Sequence, residues 1–237
     1  IGAGANIMRA VENSDTEYTW IIADDDDYDF SDCEDIISKM SSSTVNLIQV
    51  GGHDDLKWVW GMKEATPRNL RKDKYPYFKY SSFIASSIFK TEIFKKYIIE
   101  GYRNIGNSYP HMPYLFKIYE NDDLVYISKR RIVIANNQSD NYSGKLLLKW
   151  WLNTSKLLPS KKEQRECFIE QYDDKGNMLN GMKAIHLKLF RGQILFRDYS
   201  NVLKLFSPLQ VFLSICSCLV YFFPRGIYRY LVKRFHN

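Results

Sequence analysis

The sequence holds 237 residues, 45% apolar and 15% aromatic, with a formal net charge of +6. That is enough apolar material for one good-sized core plus an appendage. Cys33, Cys167, Cys216 and Cys218 have neither zinc-ligand spacing nor a paired framework, which excludes a disulfide scaffold and points to a reducing compartment.

From residue 201 onward the charged residues are Lys204, Arg225, Arg229, Lys233 and Arg234, a tail of +5 that leaves +1 for residues 1–200. A basic patch serves nucleic acid or anionic lipid. This one flanks an apolar segment, so lipid is the reading and no nucleic-acid partner is expected.

The chain opens IGAGANIMRA, with no initiator Met and no signal-peptide pattern, and is expected to be a piece of a longer protein. Residues 5–14 place Ile7, Ala10 and Val11 on one helical face, and the turn formers of NSDTE end that helix. YTWII is a short buried strand running into four aspartates. DCEDIISKM is a helix with Ser31 as its N-cap. TVNLIQVGG is another buried strand. Helix, strand, acidic loop, helix, strand is the grammar of an α/β sheet.

Residues 53–80, with tryptophans, prolines and a basic stretch, predict a long loop of broken structure. SSFIASSIF then predicts a strand, and TEIFKKYIIEG a helix capped by Thr91 and closed by Gly101. IGNSYPHMPYLFKIYEN supplies a loop and a helix, and LVYISKRRIVIAN a strand. Helical stretches beginning KLLLKWWLNTSKLL replace the alternation after about residue 143. The expected division is a catalytic domain over 1–143, a helical lobe over 144–200 and an apolar, basic tail over 201–237.

Within that tail, PLQVFLSICSCLVYFFPRG runs apolar from Leu209 to Phe223. As a helix it would be roughly 22 Å long, short of the ~30 Å hydrocarbon core. A re-entrant or interface-lying segment fits better than a full span, with IYRYLVKRF suited to anionic headgroups. A buried helix in an α-helical lobe is the alternative.

The acidic run Asp24–Asp27 carries the chemistry. Like charges about 4 Å apart repel by ~1 kcal/mol per pair in water and several-fold more near a protein surface. A fold accepts that cost if the carboxylates fan into solvent, take up protons or hold a cation. In open α/β sheets ligands bind outside the carboxyl ends of strands, which is where WIIA delivers these acids. In extended backbone Asp24 and Asp26 point to one side. Hard oxygens suit Mg²⁺ or Mn²⁺, and Mg²⁺ is typically held by one or two carboxylates with substrate phosphates completing its shell. A solvated acidic turn is the alternative.

An apolar strand running into D-x-D, preceded by the small-residue stretch and helix of GAGANIMRAVENSDTEYTWIIADDDD, resembles the family 2 glycosyltransferases of GT-A type. SSIFKTEIF and IGNSYPHMPYLFKIY resemble that family too, in particular its abequosyltransferase-like branch of bacterial surface-polysaccharide enzymes. The resemblance covers roughly residues 1–140. It implies a GT-A (Rossmann-like) mixed sheet flanked by helices, lacking its first strands here, with a helical membrane-associating extension after it. It also implies an inverting, metal-dependent hexosyltransferase that takes a nucleotide-sugar donor and a saccharide or lipid-linked saccharide acceptor. The place implied is polysaccharide or O-antigen assembly on the cytoplasmic face of a bacterial-type membrane, and this piece is expected to be inactive if half its donor pocket is missing.

Residue by residue, Asp24 and Asp26 match the D-x-D and would bind the metal and donor, while Asp25 would assist at the ribose or sugar. Asn6 matches an asparagine near the donor, with Gly2 and Gly4 in the adjoining loop. The family usually places an acidic base at the start of a late helix; His111 occupies that position here. An imidazole titrates near neutrality and can accept a proton, although His111 is equally placed to contact substrate or to cap the helix. Asp54 and Asp55 are the fallback base, or a solvated turn. Tyr75, Tyr77, Phe78, Tyr80 and Phe83 form core or a sugar-stacking platform, with core the stronger expectation. Trp150 and Trp151 are expected at the junction between lobes or near the membrane. Two other functions fit less well: nucleotidyl or phosphoryl transfer, for which no P-loop lysine motif exists, and a non-catalytic membrane-bound interaction protein.

Overall fold

The computed structural model describes residues 2–24, 26–51, 63–134, 144–173 and 176–222. Its centre is a five-stranded mixed sheet in the order β1 (Tyr18–Trp20), β5 (Ser87–Lys90), β3 (Leu47–Gly51), β6 (Val125–Arg131), β4 (Lys63–Ala65). Only the β3–β6 pair is parallel. A separate two-stranded ribbon joins β2 (Asp27–Tyr28) to β7 (Val133–Ile134), with Asp27 opposite Ile134. The α/β expectation is borne out as a mixed sheet flanked by helices.

Strand periodicity builds two core layers. Leu47, Phe89, Val125 and Ile127 face one side, and Ile48, Val50, Ile88 and Tyr126 face the other, as a repeat of two along each strand requires. Every residue of β3 is buried, which matches its nearly continuous apolar run. The smaller layer is covered by α2 (Glu34–Ser42) through Ile36. Against the larger layer pack α1 (Ala3–Asn13), through Met8 and Val11, and α5 (Thr91–Lys96), through Phe94. The same layer takes α7 (Met112–Asn121), whose positions 112–116 are all buried.

Between β4 and β5 the chain forms α3 (Pro67–Lys72) and α4 (Tyr77–Ser82), so the stretch expected to be irregular carries two short helices. Tyr75, Tyr77, Phe78 and Tyr80 are buried there; the aromatic cluster is core. The helix expected over TEIFKKYIIEG is broken at Tyr97 into α5 and α6 (Ile98–Arg103). Lys90, not Thr91, holds the N-cap position of α5, because the Thr91 hydroxyl is drawn to Thr19 at 2.7 Å. Cys33, not Ser31, precedes α2, since the Ser31 N–H bonds Asp29.

Gly101 does not close its helix. It lies inside α6, where an added Cβ would collide with the Met8 sulfur and come 2.9 Å from the Pro110 carbonyl oxygen. An exposed Gly→Ala change in a helix gains about 1 kcal/mol, but overpacking costs about 1–3 kcal/mol, and backbone at that distance has little room to give. Gly101→Ala is therefore expected to lower stability, and Gly101→Val to lower it further. A urea midpoint unchanged or raised in Gly101→Val would contradict this packing.

The boundary expected near residue 143 falls in 135–143, outside the described residues. Beyond it come α8 (Gly144–Ser155), α9 (Lys161–Glu170), α10 (Met178–Phe190), α11 (Phe196–Leu203) and α12 (Pro208–Phe222). One apolar cluster runs from Met8 to Phe206, so these helices share the core of the larger layer. Trp151 sits at the seam, its indole N–H donating to the Cys167 carbonyl at 3.1 Å and its ring edge-on to Tyr109.

A buried relay ties α10, α11 and α12 together. Ser214 donates to the Val211 carbonyl, so it accepts from His186 Nε2 at 2.8 Å, and Tyr199 donates to His186 Nδ1 at 2.9 Å. Burial lowers the His186 pKa and keeps the ring neutral. Serine, histidine and tyrosine in this order resemble a nucleophile relay, but Ser214 is fully buried and the network is structural.

Among the described residues no helix is long and apolar enough to cross a membrane. One face of α12 packs through Ser214 and Cys218, while Leu209, Phe212, Leu213 and Ile215 on the other are exposed. Residues 223–237 of the expected tail lie outside the described residues.

Candidate functional site

The acidic loop follows the carboxyl end of β1, an edge strand of the sheet. Its conformation is set by aromatics. Trp20 donates through Nε1 to the Ala85 carbonyl at 2.7 Å, Phe30 meets the Trp20 ring edge-on at 5.6 Å, and Tyr28 stacks on Phe30 at 5.8 Å. The Ala23 N–H donates to the Tyr28 hydroxyl at 2.7 Å, which closes the loop from 23 to 28. Pairing of β2 with β7 then fixes its far side.

That closure corrects the expected geometry of the acids. The chain turns at Asp24 and bends at Asp26, so alternation along an extended strand does not place their carboxylates. Asp24 is exposed, Asp26 half-buried and Asp27 exposed. Hard carboxylate oxygens reachable from solvent at a strand end fit one Mg²⁺ or Mn²⁺ whose remaining ligands come from substrate and water. Among the described residues no group of three or more His, Cys, Asp or Glu side chains is placed to hold a metal ion. Asp25, Asp54 and Asp55 lie outside the described residues.

Gly4 is not in a loop but in the first turn of α1, the helix that carries Asn6. Asn6 is exposed on its surface. A Cβ on Gly4 would lie 3.2 Å from the Ile105 carbonyl oxygen, so the glycine permits close packing of α1 against residues 105–107. A small residue followed by helix formers is the signature of a tight helix contact as much as of a phosphate loop, and here it is the former.

His111 precedes α7 but its side chain makes no capping bond, and the ring is 2% exposed. Nε2 bonds the Ser81 carbonyl at 3.0 Å, so Nε2 carries the proton, and buried Nδ1 has no hydrogen-bond partner. Burial pushes its pKa down to about 4. A neutral, enclosed imidazole is a core histidine in this conformation, out of reach of an acceptor hydroxyl. It continues a polar seam absent from the sequence reading: Tyr75 donates to Gln49 Oε1 at 2.6 Å, and Gln49 Nε2 donates to Ser81 at 2.6 Å.

A second cluster was also missed. Arg71 donates to Glu166 and Glu170, each at 2.8 Å, and its guanidinium lies 4.9 Å from the centre of the Phe78 ring. Glu170 Oε2 also accepts from the Phe78 N–H at 2.8 Å. Burial pushes Glu170 up to about 7, against Arg71 and the backbone donors. The signal in the sequence was the Glu166–Glu170 spacing of four, which puts both acids on one face of a helix; that Arg71 meets them is a tertiary fact.

Fold and site together define an α/β protein in which an edge strand of a mixed sheet leads into an acidic loop flanked by aromatic side chains. No family model and no curated protein matches the chain. Among solved structures it is similar to the crystal structure of S. aureus TarS 1–349, at 9% sequence identity with a TM-score of 0.48 over 86% of this chain and 68% of that one.

Proposed function

We propose that the protein is an inverting glycosyltransferase of GT-A type, of the family 2 kind, acting on a nucleotide-sugar donor with Asp24 and Asp26 as the metal and donor site. One observation carries the reading: the aspartates follow a strand of the sheet in a loop whose two sides are tied by Tyr28, Trp20 and the β2–β7 ribbon, so the charge-repelling run is anchored on both flanks. Bound Mg²⁺ or Mn²⁺ would neutralise the negative charge that develops on a departing nucleoside diphosphate. The residues of this chain then hold and orient the donor at the strand end. The acceptor proton is not assigned to His111, whose ring is enclosed. Calorimetry of the intact protein with Mn²⁺ and a panel of nucleotide sugars is expected to give saturable heat with at least one donor; no heat from any of them would favour a non-catalytic protein.

The acceptor in this reading is a saccharide, lipid-linked, met at the cytoplasmic face of a bacterial-type membrane in polysaccharide or O-antigen assembly. Support comes from the helical lobe, where Phe196 is 73% exposed and Phe212 61% exposed, and from the basic residues of the tail. Burying a phenylalanine side chain contributes roughly 1.5–3 kcal/mol. Phe196→Ser with Phe212→Ser is therefore expected to weaken partitioning onto anionic vesicles by at least tenfold. Unchanged sedimentation with vesicles would remove the lobe from the membrane.

A further inference from the structure

A hollow of about 450 Å³ opens between α3, α7 and α9, within the size range of small-ligand sites. It is built on α3, which follows β4. Because β4 runs antiparallel to β6, and β6 parallel to β3, α3 leaves the sheet at the end opposite the one where β1 releases Asp24. The hollow is therefore distinct from the acidic loop.

Its charge is unbalanced. Five basic side chains line it against two carboxylates, Glu166 and Glu170, and both carboxylates are bound to Arg71. What remains facing the space is cationic: Arg68, Lys72, Lys74 and Lys162, of which Lys162 approaches Glu166 only at 4.0 Å.

Two of the cations rest against the same aromatic ring. The Arg68 guanidinium lies 5.1 Å from the centre of the Tyr119 ring, and Arg71 is 5.7 Å from the same centre. Tyr119 is itself buried and accepts from Arg71 at 3.3 Å. A guanidinium resting its face on an aromatic ring keeps its edge N–H donors free for an oxyanion. Lys74 holds a left-handed backbone at φ 66°, a conformation that usually goes to glycine or asparagine. The turn it makes puts Lys74 on the wall of the hollow. Like charges gathered around one concave space repel, and an anion entering it relieves that repulsion.

We propose that this hollow binds a phosphate ester or diphosphate, with Arg68, Lys74 and Lys162 donating to its oxygens and the Arg71–Glu170 pair forming the fixed floor. The ligand chemistry is that of a multiply charged phosphate, carried either by a soluble molecule or by a lipid headgroup.

The test titrates the full chain, without divalent cations so that the acidic loop stays silent, with inorganic pyrophosphate and, separately, with equimolar phosphatidylcholine–phosphatidic acid vesicles. Saturable binding is expected that weakens with added salt. R68Q/K74Q should weaken it by at least about tenfold with the thermal midpoint unchanged, since both side chains are exposed. D24N/D26N should bind as the wild type does, which separates this site from the proposed donor site. Pyrophosphate binding that R68Q/K74Q weakens supports a soluble phosphate, and vesicle binding alone with the same sensitivity supports a headgroup. Binding of neither probe, or binding that R68Q/K74Q leaves unchanged, overturns the proposal.

Discussion

Replacing Arg71 with alanine is expected to cost about 3–5 kcal/mol of folding stability at pH 8, because it strands a buried carboxylate. The Glu170 side chain is 5% exposed, and without Arg71 it keeps only neutral backbone N–H donors, those of Phe78 and Lys79, among the described residues. The loss should depend on pH in a defined direction. Burial already raises Glu170 from its ordinary value near 4.5 to about 7. A carboxyl whose pKa is higher folded than unfolded contributes stability that is complete below the unfolded value and is lost as pH rises through the folded one.

Removing Arg71 takes away the attraction that opposes this rise, so the folded value climbs and the window extends above 7. Arg71→Ala should therefore be less destabilising at pH 6, where Glu170 takes up a proton, than at pH 8. The double variant Arg71→Ala/Glu170→Gln should recover part of the loss at pH 8, since a neutral amide needs no counter-charge. Urea melts of the three proteins at the two pH values decide it. Equal losses at both, or no recovery in the double variant, would show that packing of Arg71 over Phe78, and not charge burial, sets the cost.

The second large effect concerns activity. Asp24→Asn with Asp26→Asn is expected to reduce metal-dependent sugar transfer by about 10³-fold or more, the scale of the several kcal/mol a metal contributes to a charged transition state. The amides keep the size of the side chains and remove the charge that attracts a divalent ion. Asp24 is exposed in a run of like charges, so neutralising it alone should leave the melting temperature unchanged or raise it slightly. Loss of transfer without loss of stability would separate a ligand-holding role from a structural one. Turnover by the double variant at the wild-type rate, in the presence of Mn²⁺, would end the assignment of these residues to the donor site.

Local sequence determined the elements whose cause is local. The periodicity of Leu47–Val50 and Val125–Ile127 is enough to make two-faced strands, and DCEDIISKM is enough to make a helix, because each pattern buries one consistent face. The strand leading to the aspartates was legible in YTWII, but its end was not: it stops at Trp20 and Ile22 is exposed, because the turn that follows is set by Tyr28 and not by the apolar run.

Only tertiary packing decided what depends on partners distant in sequence. Tyr28 captures the Ala23 N–H and turns the acidic loop away from extended geometry. Ser81, thirty residues before His111, takes that ring into the core. Arg71 finds Glu170 across 99 positions of chain. In each case the local residue type did not decide the outcome, and a hydrogen bond or ion pair to a residue distant in sequence or across a turn, part-buried or buried and strengthened where water is excluded, did.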